Sequence, residues 1–401
     1  MSESASLFCF PPLGPRLVFF TGGTALRDLS RELIHYTHNS VHLVTPFDSG
    51  GSSAALRRSF AMPAVGDIRN RLLALADSAV VPASVMEFCA SRLPEQSAEC
   101  NDPHELRQQL RTMGSEAHPA WAAMPPLFAD ALRLHLNFFL QRMPEDFDPF
   151  RACLGNLILA GGYLHHKRVF GPVMAFLSRL LQTRGVVLPI VSESLHLAAE
   201  LEDGSLVVGQ HRFKNLSGAV RRLFLTVHEP ERLNEQDCLE LPATPCRPPL
   251  APAAGVYLSS AGAICYPMGS FYTSVLANLL PQNVGRAVAA VQCPKIFIPN
   301  TGTDAELHGL TVAGQTAMIL RHLREDAPDA PTEALLQAVL VDARNGRYEG
   351  GLDAGERDAL AQLGVRLVEK HMVYENDPQR HVPELTAKAL LELVPGSSVT
   401  L

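Results

Sequence analysis

Short apolar runs alternate with helical patterns along most of the chain. Runs of the kind that form strands buried on both faces lie at 16–20, 41–45, 186–191, 263–266 and 295–298. Two more lie near the carboxyl end, at 339–341 and 365–368. Between the runs, apolar residues recur at helical spacing, as Leu26, Leu29 and Leu33 do. This alternation predicts an α/β fold with a mostly parallel, doubly wound sheet and helices on both of its faces.

Residues 78–150 interrupt the alternation, and their sequence predicts a mainly helical insertion. Within it, Leu127, Ala131, Leu134 and Phe138 recur at positions i, i+4, i+7 and i+11, the spacing of a helical face that packs on a core. We expect the aromatic side chains of the insertion, including the only tryptophan, to belong to that core rather than to a ligand site.

Two further segments have a pattern of their own. Leu195–Leu201 and Leu206–Val208 flank the turn Asp203-Gly204, which predicts a β-hairpin. Residues 229–252 contain six prolines and are predicted to form a linker or a surface loop. The predicted organisation is an N-terminal tail followed by one α/β domain, residues 1–15 and 16–395.

Residues 41–73 carry the strongest functional pattern in the chain. A strand at Val41–Thr45 is followed by Asp48 and by the small-residue turn 49–53, and a helix opens at Gly66. A strand that runs through a glycine- and serine-rich loop into a helix presents backbone N–H groups to an anion. We therefore predict a pocket here for a phosphate-bearing nucleotide compound.

Two acids in this stretch are the candidate catalytic residues. At the carboxyl end of a parallel strand, Asp48 would point into the ligand crevice. There it would accept a hydrogen bond from a ribose or substrate hydroxyl, or act as a metal ligand for Mg²⁺; the alternative is an Asx turn that organises the glycine loop. Asp67 would be the N-cap of the helix that follows it, a ligand contact, or both.

Glycine turns supply the candidate ligand-binding backbone. Two of them follow predicted strands, Gly22-Gly23-Thr24 and Gly50-Gly51, and we predict that both approach phosphate closely. The other candidate contacts flank these turns or follow later strands: Ser52, Ser53, Arg69, Asn156, Gly269, Ser270, Tyr272, Thr273 and Asn300. The central expectation is that the corners at Gly51 and Gly269 converge on one diphosphate.

Several of these residues also have a purely structural interpretation. Ser52, Ser53 and Asn156 are equally suited to cap the helices that begin beside them. Arg69 would either bind a phosphate with its forked guanidinium or form a surface ion pair. Tyr272 would either stack on a base or sugar or pack as a buried aromatic whose hydroxyl is satisfied.

Composition and charge narrow the class of protein. The chain has 401 residues, 47% of them hydrophobic and 19% charged, as in a globular protein. Its net charge of −7 argues against a sequence-independent nucleic-acid binder, and Arg57 and Arg58 are most simply interpreted as a solvated face. Eight scattered cysteines and the lack of a signal peptide or a membrane-length apolar run predict a cytoplasmic protein with reduced thiols. A homodimer is one arrangement open to it.

Taken together, these segments resemble the 2-phospho-L-lactate transferase (CofD-like) superfamily, and within it the gluconeogenesis-factor (YvcK-type) branch. The resemblance keeps the family's order over most of residues 16–393. Its segments are Gly22-Gly23-Thr24, VTPFDSGGSSAALR (44–57), GDIRNRLLAL (66–75), GNLILAGG (155–162), VLPIVSESLHLAAELEDGSLVVGQ (187–210), GSFYTSVLANLL (269–280) and KIFIPN (295–300).

The resemblance implies a Rossmann-like fold and one of two functions. The gluconeogenesis-factor branch binds UDP-sugars and acts in the control of carbon flux and cell-wall synthesis. The transferase branch moves a phospholactyl group from a guanosine diphosphate donor to a deazaflavin alcohol with Mg²⁺. The resemblance therefore implies a nucleotide ligand of the UDP-sugar or GDP type.

This chain departs from the family pattern mainly at acidic positions. The family's paired aspartates after the second strand are here Asp48-Ser49, and its Ala-Asp before the second glycine loop is Ala261-Gly262. The loop 267–270 and the segment after Asn300 also differ. Fewer carboxylates weaken the case for metal-assisted transfer and leave phosphate binding nearly untouched, which favours the regulatory function.

Overall fold

A computed structural model describes residues 10–231, 233, 241 and 245–395. Its strands, in chain order, are β1 Leu17–Thr21, β2 Val41–Val44, β3 Val186–Pro189, β4 His196–Leu201, β5 Leu206–Val208, β6 Val220–Thr226, β7 Ala263–Tyr266, β8 Lys295–Phe297, β9 Ala338–Val341, β10 Arg366–Glu369, β11 Val373–Tyr374 and β12 Asp377–His381.

The helices alternate with these strands and cover both faces of the main sheet. They are α1 Arg27–Leu33, α2 Gly51–Phe60, α3 Gly66–Leu75, α4 Ala83–Ala90, α5 Pro103–Thr112, α6 Pro119–Ala122, α7 Pro126–Leu140, α8 Leu154–His165, α9 Phe170–Leu180, α10 Pro252–Ser259, α11 Val284–Ala289, α12 Val312–Arg324, α13 Thr332–Leu335, α14 Ala354–Gln362 and α15 Pro383–Leu391. Three short 3₁₀ helices, Pro11–Leu13, Gln210–Asn215 and Leu276–Leu279, and one π-helical turn, Phe271–Val275, complete the described elements.

The main sheet has seven strands in the order β10-β9-β8-β7-β1-β2-β3, and every pair in it is parallel. The chain moves outward from β1 through β2 to β3 and then returns to the other side of β1 with β7. The gap between β1 and β7 is therefore the point where the strand order reverses, and open α/β sheets bind ligands beyond the carboxyl ends of their strands near such a point. The predicted fold class is confirmed.

The core explains why the strand sequences are almost continuously apolar. All five residues of β1 are buried. Val18 and Phe20 pack into the core on one face of the sheet, whereas Leu17 and Phe19 pack into the core on the other face. A strand covered by helices on both sides has no solvent-facing position, so its sequence shows no polar alternation.

The insertion between α3 and α8 is helical as predicted, but its main helix buries a different face. Leu127 and Leu134 of the predicted stripe are 72% and 51% exposed. The buried face of α7 instead carries Leu132, Leu136 and Phe139. Helix α7 has two apolar stripes. Phe138 of the predicted stripe is partly buried and stacks on His165 of α8, so the prediction that this stripe packs on the core was wrong for Leu127 and Leu134 but not for Phe138. The tryptophan of the insertion is buried as expected.

Two small antiparallel sheets accompany the main one. The predicted hairpin is present as β4 and β5, and β6 pairs with the other edge of β4. The proline-rich loop predicted at 229–252 lies in part outside the described residues, and α10 begins at its last proline, Pro252. The division into a tail and one domain stays a prediction, and so does a cytoplasmic location. Among the described residues, no helix combines the length and apolarity that crossing a membrane requires.

Candidate functional site

The carboxyl end of β2 opens onto a recess of about 350 Å³, which we call the acid cleft. Its volume is in the range of small-molecule sites. The lining residues are Asp48, Gly50, Gly51, Ser52, Ser53, Gly66, Asp67, Arg69, Asn70, Arg92, Arg151 and Asn156. Eight of the predicted site residues are among them, namely Asp48, Gly50, Gly51, Ser52, Ser53, Asp67, Arg69 and Asn156.

Three helices begin at the acid cleft. Helix α2 starts at Gly51, α3 starts at Gly66, and α8 starts at Leu154; the first turn of each one lines the recess. The first N–H groups of a helix have no partner within that helix, and the helix dipole adds about half a positive charge at the same end. Three converging amino-termini therefore form a site suited to an anion with several oxygen atoms.

Glycine allows two of these helices to approach one another. A β-carbon at Gly66 would lie 2.9 Å from the Ser53 hydroxyl oxygen and 3.3 Å from Oδ2 of Asp48, so a larger residue would push the start of α3 away from α2. Gly51 has a φ angle of +48°, a left-handed conformation that glycine adopts without steric cost. Glycine at these two positions thus shapes the floor of the cleft.

Asp48 combines the two roles that the sequence left open. Its Oδ1 accepts a hydrogen bond of 3.0 Å from the Gly50 N–H, which is the Asx turn expected for the structural alternative. Its Oδ2 lies on the side of Gly66 and the acid cleft. One oxygen thus organises the loop, while the other is placed to meet a ligand.

Asp67 is the second residue of α3, and Val65 occupies the N-cap position. The prediction that Asp67 caps the helix was therefore wrong by two positions. Burial and the nearby charge of Asp48 raise the pKa of Asp67 to about 7, although Arg71 and Arg69 act in the opposite direction. An acid of this kind changes its charge in the physiological range, which is frequent at functional sites.

The polar groups of the cleft differ in how far the protein already satisfies them. The Ser52 hydroxyl accepts a 3.0 Å hydrogen bond from the backbone N–H of Cys153, so it is used at the start of α8 rather than in α2. Within the described part of the chain, the buried Ser53 Oγ and Asn156 Oδ1 have no hydrogen-bond partner. Buried polar atoms without a partner are uncommon and costly, so both are candidates for ligand contacts.

Three arginines lie near Asp48 and Asp67, one inside the acid cleft and two at its rim. The Arg69 guanidinium is buried and contacts the Cys153 thiol and, at 2.5 Å, Oδ1 of Asn70, which excludes the predicted surface ion pair. Arg92 and Arg151 lie at the exposed rim. The positive charge is therefore graded, with one arginine inside the cleft and two at its mouth.

A second recess lies at the switch point, and we call it the glycine groove. It holds about 80 Å³ between the turn after β1, which carries Gly22, Gly23 and Thr24, and the turn after β7, which carries Gly269 and Ser270. A wider recess of about 260 Å³ continues from it past Asn300. Five more of the predicted site residues thus lie in the groove, and Asn300 lies in its extension.

Gly51 and Gly269 line different recesses, so the prediction that these two corners face one cleft was wrong. The strand order gives the reason, since Gly51 follows β2 whereas Gly269 follows β7, and β1 lies between them. The two recesses adjoin at Gly23, where a β-carbon would lie 3.6 Å from Oδ1 of Asp67. An extended ligand could therefore span both.

Comparison with known proteins identifies the family. The model of the family described as 2-phospho-L-lactate transferase CofD matches residues 17–373. The chain belongs to the CofD family. A gluconeogenesis factor of Bacillus subtilis is 27% identical over 95% of this chain and 98% of its own length. A putative gluconeogenesis factor of a Nostoc species is 28% identical over 96% of this chain and 70% of its own length.

A solved structure supports the fold. A crystal structure of a UPF0052-family protein from Bacillus halodurans superposes with a TM-score of 0.63 at 23% identity. The match covers 94% of this chain and 99% of that one. The resemblance to the CofD family and to its gluconeogenesis-factor branch, inferred above from sequence segments, is thus confirmed.

In this CofD-family chain, Tyr272 and Thr273 do not face a ligand site. Both are buried, and their backbone N–H groups donate to Oε2 of Glu306 at 2.9 and 3.1 Å. The Thr273 hydroxyl donates to Oε1 of the same carboxylate at 2.7 Å. The structure thus supports the alternative for Tyr272, a packed aromatic, and the backbone N–H groups of both residues are already bound by the protein's own carboxylate.

Asn300 shapes the glycine groove by hydrogen-bonding to the backbone of Gly269. Its side chain accepts from the Gly269 N–H and donates to the Gly269 carbonyl, both at 2.8 Å, and it also donates to Asp304 at 3.0 Å. The amide is fully engaged in holding the turn after β7. We therefore assign Asn300 a positioning role.

Arg71 lies beside the candidate site and was missed by the sequence analysis. Its buried guanidinium donates to the Gly23 carbonyl at 3.2 Å and to the Thr21 hydroxyl at 3.1 Å. It also lies close enough to Asp67 for the two charges to interact. Arg71 thus ties the glycine turn after β1 to α3. A charged residue on the buried face of the α3 pattern, beside Leu72, was the available signal.

Two other residues were missed or misjudged beside Asp48. Arg57, predicted to be solvated, is buried and donates to the carbonyls of Phe47 and Leu195 at 3.0 and 2.6 Å. The Ser49 hydroxyl forms a 2.8 Å hydrogen bond with Nδ1 of His211. The residue after Asp48 is therefore a serine anchored to a histidine, which fixes this part of the loop.

The donor set at the acid cleft fits Mg²⁺ only together with a ligand. Among the described residues, no group of three or more His, Cys, Asp or Glu side chains could hold a metal. Mg²⁺ in nucleotide sites is commonly held by one or two carboxylates plus phosphate oxygens and water. Asp48 and Asp67 supply that number; burial and then the charge of Asp48 raise the pKa of Asp67, and a cation between the two carboxylates would offset the contribution of Asp48.

Proposed function

We propose that this protein binds a nucleoside diphosphate ester, such as a UDP-sugar, and acts as a regulatory protein. The diphosphate would lie in the acid cleft over the first turns of α2, α3 and α8. Its contacts there would be the backbone N–H groups of Gly51 to Ser53, together with Ser53 Oγ and Arg69. The nucleoside would extend past Gly23 toward the glycine groove.

The observation that carries this proposal is the convergence of three helix amino-termini beside Asp48 and Asp67. Each amino-terminus stabilises an anion by roughly 0.3–1 kcal/mol, so a useful affinity needs several of them at once. The name of the similar proteins, gluconeogenesis factor, describes an effect on carbon flux and not a reaction, which favours a regulatory role.

Isothermal titration calorimetry tests the binding step. We expect UDP-N-acetylglucosamine or another UDP-sugar to bind in the presence of Mg²⁺, and Gly66→Val to abolish binding because its side chain would displace α3 from Ser53 and Asp48. Gly171→Val is the matched control, since a β-carbon there meets no atom within 4 Å. Absence of binding for every UDP-sugar and for GDP would refute the proposal.

A second candidate function is a Mg²⁺-dependent phosphotransferase of the 2-phospho-L-lactate transferase type. The observation that favours it is the pair of interacting carboxylates at the helix amino-termini. A bound Mg²⁺ would supply charge stabilisation for the transferred phosphoryl group, and Asp48 and Asp67 would hold it there. Mg²⁺-dependent release of GMP from a guanosine diphosphate donor, lost in Asp48→Asn, would support this function; no release with any acceptor would exclude it.

A further inference from the structure

We infer that Arg92 and Arg151 select a ligand with a carboxylate on its sugar, so that the acid cleft prefers a nucleoside diphosphate sugar acid to the corresponding neutral sugar. The selection acts on the ligand of the proposed function and therefore rests on it. It specifies a chemical group on the sugar, the part of the ligand on the other side of the diphosphate from the nucleoside.

Both arginines reach the cleft from the side of the helical insertion. Arg92 follows α4, and Arg151 precedes α8. An isolated antiparallel β-bridge joins Arg92 to Cys153, and a guanidinium nitrogen of Arg92 donates to the Arg151 carbonyl at 3.1 Å. Their backbones are thus held together at one rim of the cleft.

The two guanidinium groups keep donors for a ligand. The Arg92 contact to the Arg151 carbonyl uses one of the five N–H groups of a guanidinium. Arg151 pairs with Glu95 at 3.1 Å, with both side chains more than 60% exposed. An exposed pair of this kind contributes little free energy and exchanges readily with water or another anion. Guanidinium groups bind carboxylates with two parallel hydrogen bonds.

The charge distribution indicates that Arg92 and Arg151 bind a group of the ligand other than the diphosphate. Inside the cleft, the two negative charges of Asp48 and Asp67 would be offset by Mg²⁺. The two negative charges of a diphosphate ester would be offset by Arg69 and by three helix ends of about half a charge each. Arg151 has the exposed Glu95 as its counterpart, whereas Arg92 pairs with no acidic side chain among the described residues; a carboxylate on the sugar would pair with Arg92 and could replace Glu95 on Arg151.

Two readily available ligands differ only in the sugar carboxylate that the arginines are proposed to bind. UDP-glucuronic acid and UDP-glucose share the base, the ribose and the diphosphate, and they differ only in a carboxylate or a hydroxymethyl group on the sugar. Calorimetry with Mg²⁺ should give about threefold to fivefold tighter binding of the acid, or about 0.7–1 kcal/mol, the upper part of the range for exposed ion pairs. The preference should shrink in 0.5 M salt because the rim is exposed.

Substitution of the two arginines tests whether they cause the preference for the acid. Arg92→Gln and Arg151→Gln should each weaken the binding of UDP-glucuronic acid more than that of UDP-glucose and so remove most of the difference between the two ligands. Arg111→Gln is the control, because Arg111 is an exposed arginine of the same insertion that does not line the cleft; it should change neither affinity.

The outcomes separate this inference from the function on which it depends. Equal affinity of the wild-type protein for both ligands would overturn the selection and leave the binding function standing. An equal loss for both ligands in the arginine variants would show that the rim binds the diphosphate and would also overturn it. If neither ligand nor any other UDP-sugar binds, the proposed function itself fails.

Discussion

At the scale of single residues, Asp48 and Asp67 share one recess with the amino-termini of three helices. Asp48 is held by a backbone N–H, whereas burial and its acidic neighbour raise the pKa of Asp67 to about 7. Two carboxylates so close together bind a diphosphate poorly unless one is protonated or a cation lies between them. The protonation of Asp67 should therefore control ligand affinity.

We predict that the affinity for a UDP-sugar responds to pH in opposite directions with and without Mg²⁺. Between pH 6 and pH 8, Asp67 passes from about one-tenth to about nine-tenths ionised. With Mg²⁺ the affinity should rise by up to about tenfold, since the ionised acid holds the cation. In EDTA it should fall, since the ionised acid repels the diphosphate.

Calorimetry at pH 6, 7 and 8 measures this response. A UDP-sugar is suitable because it lacks the terminal phosphate whose second pKa lies near 6. Asp67→Asn should flatten both profiles, and Asp377→Asn, which lines neither the acid cleft nor the glycine groove, should leave them unchanged. A pH response that persists in Asp67→Asn would assign the titration to another group.

Residue types and spacing were sufficient to place Asp48, the serines and the glycines of the acid cleft, because each lies at a strand end or in the first turn of a helix. They were not sufficient for Arg71 or His211. Arg71 lies inside a helical pattern and reaches the glycine turn only through tertiary packing. His211 meets Ser49 across 162 residues of sequence, and no local pattern reports such a pairing.

At the scale of elements, the π-helical turn Phe271–Val275 contains two residues, Tyr272 and Thr273, that the sequence analysis assigned to ligand binding. A carboxylate of the protein binds their backbone N–H groups instead. Glu306 accepts three hydrogen bonds from the start of this turn. Burial is the main cause that raises the pKa of Glu306 to about 7, and the hydrogen bonds from Thr273 and Tyr272 oppose it. The backbone N–H groups of Tyr272 and Thr273 are therefore already bound by the protein's own carboxylate.

We predict that Glu306→Ala destabilises the protein by about 1–3 kcal/mol, because it leaves buried N–H groups of Tyr272 and Thr273 without an acceptor. Urea unfolding followed by circular dichroism measures the change. Glu375→Ala, at an exposed position, should stay within about 0.5 kcal/mol of the wild type. If Glu306→Ala behaves like that control, the carboxylate does not secure the turn.

Helix α7 offers a second test at this scale. Leu136 is fully buried, whereas Leu127 is 72% exposed. We predict that Leu136→Ala costs about 2–5 kcal/mol of unfolding free energy, as large-to-small changes in a core do, and that Leu127→Ala costs less than about 0.5 kcal/mol. Comparable losses in the two variants would show that the outer stripe is also packed.

The two stripes of α7 also show a limit of sequence patterns. Apolar spacing identified the helix, but both stripes satisfy that spacing, and only the position of α8 decides which one is buried. The same limit applies to the turn after β7, where strand and glycine turn were predicted correctly and the acceptor for its backbone came from a distant loop.

At the scale of the whole molecule, the order of strands decides which loops share a recess. The alternation of apolar runs and helices was enough to predict the doubly wound sheet, because strands buried on both faces have a distinctive composition. It could not give the strand order, so Gly51 and Gly269 were assigned to one cleft. The observed order places β1 between their strands and gives the ligand two adjoining recesses.

A crystal structure of the complex with a UDP-sugar and Mg²⁺ would show which of the two recesses holds the diphosphate. We expect both phosphorus atoms over the first turns of α2 and α3, within contact distance of Ser53 and Asn156, with the nucleoside directed past Gly23. A diphosphate bound in the glycine groove, with the acid cleft filled only by solvent, would contradict this placement of the ligand.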